Sequence, residues 1–585
     1  MKVKIHFRTQ RPNRIGSALM LTLLMSAIAL AILASVMAWS VSNTKLTYRS
    51  IQYTRSVAAA EAATEKVEGQ ISSDFLYGGE SLVINNLNSY RQNMVPSISN
   101  STYWSTWIFD DGSGNIGRTY VQRLSGTNYV VLGPSYAGLK GYVSTYTIIS
   151  RARDTASPQY VTAGVLQTLQ LTSIPIFQFA MYSSGNMEIS CGKPFKVTGR
   201  VHSNAILYVE PDNLLTFESG VTAVITNVNQ RDTVDGDTRG APAGLPAIYV
   251  HPDEKISPFQ AYTLPIGTTN TPEAIREIIE PPPAGESPTS SLGELRYYNQ
   301  SDLVLTVSNT GISAVSGYFN PIQTTIPTNE LAGFVTTTNS FWDAREGKTV
   351  RPIDINIGEL TSWSLANSHL PSLSSLYVVD DRTLSATTLG AVRVFNGTNL
   401  PPNGLTVATG RPLYVWGDYN ELNSANLGTA NTSTTRPASL VADAITFLSD
   451  AWNDTSTHSG QTSEPTAANT TVNAALLTGA VNTAPQPSPL SGYSGGMENF
   501  PRFLENWSTA INTYNGSMIK MFPSLYATNA WGKGGVYSPP TRNWAYDANF
   551  DNQTNLPPKT PSLLKVIRSQ WANIVSGTNT AAIYP

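Results

Sequence analysis

Cysteine is almost absent from this chain: Cys191 is the only one in 585 residues. An intramolecular disulfide and a thiolate metal cluster are therefore excluded. A lone cysteine beside strand-like residues reads as a small buried side chain. Charge is scarce as well, at 13% of residues, with a net charge of −3. A basic face for nucleic acid is excluded by that balance. Histidine is rare, with 5 in the chain, and no pair has metal-ligand spacing. No Ser/His/Asp order and no phosphate-binding glycine loop is present. The abundant residues are Gly, Pro, Asn, Thr, Ser and Tyr, which give a neutral-polar surface rich in turns.

The one long apolar run lies at the start. Lys2, Lys4, Arg8, Arg11 and Arg14 precede Ile15-Gly16, and Ser17 to Val41 carries no charge. A helix over that run is ~37 Å long, enough for a hydrocarbon core of roughly 30 Å. Ala18, Leu21, Leu24, Ile28 and Leu33 belong to it. The basic flank predicts a single pass with the N-terminus in the cytoplasm. A secretory signal has a shorter apolar region and a small-residue cleavage site, for which Ala34-Ser35-Val36 and Met37-Ala38-Trp39 are the candidates. Helical periodicity nevertheless continues beyond Val41. Leu46, Tyr53, Val57, Ala60, Val67 and Ile71 share one stripe, with Arg49, Arg55, Glu65 and Glu68 off it. One helix is predicted over 17–75, ended by Gly78-Gly79.

These features resemble the N-terminus of type IV pilins, above all the PilX-type minor pilins and the K-type pseudopilins of type II secretion. Gly16-Ser17-Ala18-Leu19 is similar to their prepilin peptidase site, which places the scissile bond between Gly16 and Ser17. Ala58-Ala59-Ala60-Glu61-Ala62-Ala63 is similar to their small-residue run. Two positions depart from the major pilins, which have Phe after the cleaved Gly and Glu at the fifth mature position. This chain has Ser17 and Leu21 there. The missing Glu argues against an ordinary shaft subunit. Removing residues 1–16, with their five basic residues, would lower the net charge from −3 to −8.

The resemblance implies a membrane-anchored minor pilin or pseudopilin of a type IV pilus or type II secretion-like filament. It would act by assembly at or near the tip, in the inner membrane, with its head periplasmic or extracellular. Implied partners are other pilin subunits, met through the helix, and the prepilin peptidase. The alternative is an exported adhesin or carbohydrate-binding protein, on a host or abiotic surface, held by an uncleaved span.

The expected fold class is α+β: a pilin-like antiparallel sheet on the helix, then a mainly-β head, best fitted by a parallel β-helix. The sequence divides into a leader (1–16), the helix (17–75), a pilin-like β head (76–175), first rungs (176–226), an insertion (227–370), a β-helix module (371–530) and a Pro/aromatic-rich tail (531–585). Asp110-Asp111-Gly112-Ser113-Gly114-Asn115 reads as a hairpin turn. Asp111, Ser113 and Asn115 also have the alternating oxygens of a calcium loop, without the distal Glu. Short alternating strands from Met187 to Val224, and again from Leu376 to Phe522, cannot bury a face alone and must stack. Their spacing is not strict.

In the insertion, Asp232, Asp235 and Asp237 cluster in a Gly-rich loop, and Thr271-Pro272 caps a short helix. Gly199-Arg-Val-His-Ser-Asn204 resembles a segment of large PilX-like exported proteins. Its His202 reads as a rung or turn histidine rather than a base. Asp418, Asp443, Asp450 and Asp454 are the candidate carboxylates for glycosidase or lyase chemistry. They lie among Asn and Thr as turn residues do, so the expectation is no enzyme and no cofactor, and Asp418 and Asp443 should tolerate Asn. Asn420, Asn473 and Asn515 suit turn positions. Phe500 to Trp507 reads as an amphipathic helical piece. Trp416, Tyr419, Trp531, Tyr537, Trp544 and Tyr546 could stack on sugars or pack in loops.

Overall fold

The computed structural model describes residues 15–574, apart from 134–135, 137, 233, 235–245, 318–322, 367–369, 371, 456–465, 486–491 and 532–535. The basic leader, Asp235 and Asp237 lie outside the described residues. The fold is α+β: a long N-terminal apolar helix followed by a large β-rich region with mixed sheets.

Helix α1 spans Ile15–Asn93 and breaks at Gly78 and Gly79, where φ reaches 74° at Gly79. A left-handed angle suits glycine because it has no Cβ. The glycine pair ends the first helical arm, as expected, and the chain then doubles back into a second arm. Asn86 Nδ2 and Tyr90 OH both donate to Asp74 Oδ2, at 2.8 and 2.6 Å. Asp74 and Asn86 would be ~18 Å apart on a straight helix. The stretch assigned to the β head at its start is therefore the second arm of a helical hairpin, closed by Val83, Leu87 and Tyr90 against Ile71 and Phe75.

A six-stranded antiparallel sheet lies across the upper half of α1. Its strands are β1 (Trp107–Asp110), β2 (Tyr120–Arg123), β3 (Asn128–Val131), β4 (Lys140–Asp154), β5 (Ala163–Pro175) and, from the other end of the chain, Ser562–Ile574. The last strand runs antiparallel to β5, with Leu564 opposite Ser173. What reads as a tail therefore completes the sheet on the helix.

Most of the remaining strands form parallel ladders, with antiparallel additions such as Leu303–Ser308 against Gly311–Ser316 and Phe341–Asp343 against Lys348–Asn356. Met181–Ser183, Val201–Ser203 and Val221–Ala223 pair in parallel, with Met181 opposite Val201 and Val201 opposite Val221. Met187–Ile189 pairs with Ile206–Val209, and Phe195–Val197 with Leu215–Phe217. Every partner in these three ladders lies 20 residues further along. The period is thus strict over two coils. It lengthens only at the third, where Thr216 meets Ile248 and Val221 meets Lys255.

The insertion is only partly one. Leu303–Ser308 pairs in parallel with Ser375–Asp381, and Lys348–Asn356 with Thr388–Gly397. Both strands begin ladders that the C-terminal module continues. The segment before them, 257–302, crosses the outside of the stack. Its short helix Pro272–Arg276 is capped as expected, Thr271 Oγ1 accepting from Ala274 N. Ile275, Ile278, Ile279 and Tyr297 cover Tyr377, Ala408, Val441 and Ile519.

One row of side chains orders the whole stack. Leu303, Leu376, Val407, Leu440, Leu476, Met518, Met181, Val201 and Val221 stand in consecutive register. All nine are buried in one core. The row crosses from Met518 to Met181, so the early coils stack directly on a late strand. The chain enters mid-stack, runs to one end, returns along the outside and builds back to its point of entry. Thr541–Tyr546 pairs in parallel with Ile511–Pro523, and Phe500 to Trp507, expected as helix, is a turn and a two-residue strand, Arg502–Phe503. Phe503 and Trp507 face the core there, at 5.2 Å between rings.

Candidate functional site

The most conspicuous surface is the lower part of α1. Every residue from Ala18 to Ile51 is exposed, apolar side chains included. That arm is ~50 Å of helix with no cover. By length and composition it can cross a membrane, and among the described residues it is the one helix that can. Isolated exposed apolar residues are ordinary, but a patch of this size marks a contact surface. Ala18, Leu21, Leu24, Ile28 and Leu33 lie on it. Gly16 and Ser17 have helical backbone at its start.

The cover begins within the predicted stripe. Leu46 is exposed, Tyr53 and Val57 are half-buried, and Ala60, Val67 and Ile71 are fully buried. Ala59, Ala60 and Ala63 pack against Trp107, Phe109, Ala152 and Val165. The small-residue run thus lets sheet side chains come close to the helix axis. Val67, Ile71 and Phe75 meet Val121, Tyr146, Ile148 and Leu169. Arg568, on the C-terminal strand, clasps the other side: Nη2 lies 2.8 Å from Glu65 Oε2, and Nε meets Glu68 Oε1. Burial pushes the Glu68 carboxyl up, and Arg568 opposes that rise. An open groove of about 490 Å³ runs between this helix face and the strand edge, lined by Glu61, Glu65, Leu169 and Trp571. Reading the sequence missed Arg568. Its signal is an arginine within an alternating apolar run, Leu563-Leu564-Lys-Val566, in a chain poor in charge.

The Gly199–Asn204 segment is a junction. A Cβ at Gly199 would fall 2.6 Å from the Tyr546 ring. Arg200 bonds Asp551 Oδ1 at 2.9 Å and the Gly138 carbonyl at 3.2 Å, joining coil, C-terminal region and sheet. Val201 is in the core row. His202 is buried in the outer row between Tyr182 and Thr222. Its ring stacks on Tyr182, and its nitrogens meet Thr222 Oγ1 at 2.7 Å and Asn204 Oδ1 at 2.9 Å. Burial lowers its pKa to about 4. The imidazole is thus enclosed, with both ring nitrogens engaged.

Of the four carboxylates, Asp418 and Asp450 adjoin, while Asp443 and Asp454 serve other partners. Asp443 is fully buried and accepts from Arg276 Nη1 at 2.7 Å and from the backbone N–H of Leu525, Tyr526 and Ala527. Asp454 and Asp354 hold the buried guanidinium of Arg393, each through two hydrogen bonds, between the rings of Phe341 and Trp416. Asp418 accepts from Thr471 N, and its own N–H donates to Asp450. Burial, with Asp450 beside it, raises Asp418 to about 6. Asn is therefore a poor substitute for Asp443, contrary to the sequence reading, because it removes the charge facing Arg276 and one of the acceptor positions.

The aromatic residues do not form an open platform. Tyr419 and Trp544 are buried, Trp544 donating to Asn512 Oδ1 at 2.8 Å, so neither ring face can receive a sugar. Trp416 and Trp531 are half-buried, beneath Arg393 and against Tyr493 respectively. In the loop after β1, Asp111 Oδ1 accepts from the N–H of Ser113 and Asn115, and Oδ2 from Asn115 Nδ2. Those bonds close a tight turn on the Asp111 carboxylate. Among the described residues, no group of three His, Cys, Asp or Glu is placed to hold a metal. Cys191 is buried, which pushes its thiol up to about 12.

No family model and no curated protein matches the chain. Among solved structures, it is similar to the competence-associated pilin ComZ from Thermus thermophilus, at 11% identity and a TM-score of 0.27 over 89% of this chain and 98% of that one. At that score the likeness has no weight for fold or function.

Proposed function

We propose that the chain is a membrane-anchored minor pilin or pseudopilin of a type IV pilus or type II secretion-like filament, acting by assembly at or near the tip. One observation carries this reading. The apolar arm Ala18–Ile51 continues as the same helix into the seat under the antiparallel sheet. An anchor that served only for attachment has no need to be rigidly continuous with its head. A subunit that transmits its position in a helix bundle to its head does. Prepilin peptidase would cut between Gly16 and Ser17, and the arm would pack against other pilin helices, first in the inner membrane and then in the filament.

The parallel ladders are read as a parallel β-helix, supported by the 20-residue offset and the nine-residue core row. Its role is structural rather than catalytic, without a cofactor. Gly16→Leu tests the proposal, because a prepilin peptidase requires a small residue at the scissile bond. The variant should keep its leader and drop out of sheared filaments. Equal mobility of the wild-type chain in cells with and without the peptidase would overturn the proposal in favour of an adhesin on an uncleaved span.

A further inference from the structure

The charges on α1 are segregated. Between Ile15 and Ala60 they are Lys45, Arg49 and Arg55, and the first acid is Glu61. All three cations are exposed. Lys45 and Arg49, at i and i+4, share a helix face. They sit between the last residue of the uncharged run, Val41, and the start of the head's cover at Gln52. We propose that Lys45 and Arg49 bind the anionic phosphate headgroups of the leaflet on the head side of the membrane. The inference rests on the membrane-anchored reading above and names the lipid chemistry that the anchor selects.

Distance along the helix supports this placement. A bilayer adds roughly 5–8 Å of headgroup region on each side of its hydrocarbon core. Lys45 lies ~6 Å beyond Val41 and Arg49 ~12 Å. A flexible stem lets either cation reach back into that layer. Trp39 and Tyr48 flank the cations and are exposed, as suits amphipathic rings at an interface. The head closes the site from above: Ser56 Oγ donates to the Val161 carbonyl at 2.9 Å, and Tyr160 beside it is 73% exposed. No carboxylate lies on this stretch of helix to neutralise the cations. Removal of the five leader cations would leave these three as the only charged side chains between Ser17 and Ala60.

The test uses the full chain in vesicles of equal phosphatidylglycerol and phosphatidylcholine, with one lipid or the other brominated. Quenching of Trp39 is read as the difference between the wild type and Trp39→Phe. The wild type should be quenched more by the brominated anionic lipid, and concentrated salt should erase the preference. Each cation removed should cost on the order of fivefold in local enrichment, so Lys45→Gln with Arg49→Gln should bring the two lipids level. Equal quenching in the wild type, or a preference that survives the double substitution, overturns the proposal. Equal quenching is also the result expected if the cations instead serve the Glu61 and Glu65 groove of a second copy. Quenching by neither lipid would instead sink the anchored reading itself.

Discussion

In the antiparallel sheet, β4 and β5 are 15 and 13 residues long and lie on a helix. In the 20-residue coils, the strands are 3 or 4 residues long and lie on each other. The two regions are made of similar residues, yet they meet the cost of ordering a chain differently. The sheet buries one side on α1, through a stripe of Ala, Val, Ile and Phe, and at its end Val143 and Ile174 join the core that covers the stack. A coil gains little from its own strands and depends on the coils above and below it. Damage should therefore stay local at the helix seat and spread through the stack.

Asp443→Ala is the strongest way to break the stack. It removes one of the two carboxylates on the buried Arg276, leaving Glu280, and strips three N–H groups of their acceptor, at an expected cost of about 3–5 kcal/mol in denaturant unfolding. Asp443→Asn should fall between the variant and the wild type. A cost under about 1 kcal/mol for the Ala variant would mean that the cross-stack ion pair holds nothing.

Protonation should separate the stack from the sheet next. His202 is lowered to about 4 by burial, so its contribution is present above its ordinary pKa near 6.5 and is lost as pH falls toward 4. Glu505 is raised to about 7 by burial, with Ser449 opposing, so its contribution is present below its ordinary value and is lost as pH rises through 7. Each amounts to roughly 3 kcal/mol across its window. The two windows overlap between about pH 4 and 7 and oppose one another, so His202→Asn should leave stability falling as pH rises through that range, and Glu505→Gln should leave it falling as pH drops. A pH dependence unchanged by either substitution would contradict the buried environments of these groups.

Matched truncations sharpen the comparison further. Leu440→Ala, in the middle of the core row, should cost about 2–5 kcal/mol. Val67→Ala, under the sheet, should cost less, within about 1.5–3 kcal/mol. Hydrogen exchange should show protection lost along several coils in the first variant, and only around α1 and the sheet in the second. The smallest expected effect is at the clasp. Glu65→Gln removes only its exposed half, leaving Arg568 on the buried Glu68, and should cost about 0.2–1 kcal/mol.

The same contrast explains what was legible in the sequence. The apolar arm, the stripe from Tyr53 to Ile71 and the capped helix at Thr271 are local periodicities, and each was readable from neighbouring residues. The strands at Met181, Val201 and Val221 were readable as strands. Their 20-residue period was obscured because the third coil is lengthened between Val228 and Ile248. Long-range pairing left no local mark. Nothing around Ser562–Ile574 announces that it pairs with β5, or around Met518 that Met181 is its neighbour. The partners of Asp443 and His202, Arg276 and Tyr182 among them, come from other coils or from the returning segment, so neither environment was readable from neighbouring residues. Tyr419 and Trp544 looked available for ligands because alternation does not say which face of a coil is inside.

The central claim, that α1 is a processed assembly helix, is tested most directly by the N-terminal sequence of the protein recovered from membranes. The account predicts a mature chain beginning at Ser17. A chain still beginning at Met1, or one beginning after Ala38 in the middle of the apolar arm, would contradict it.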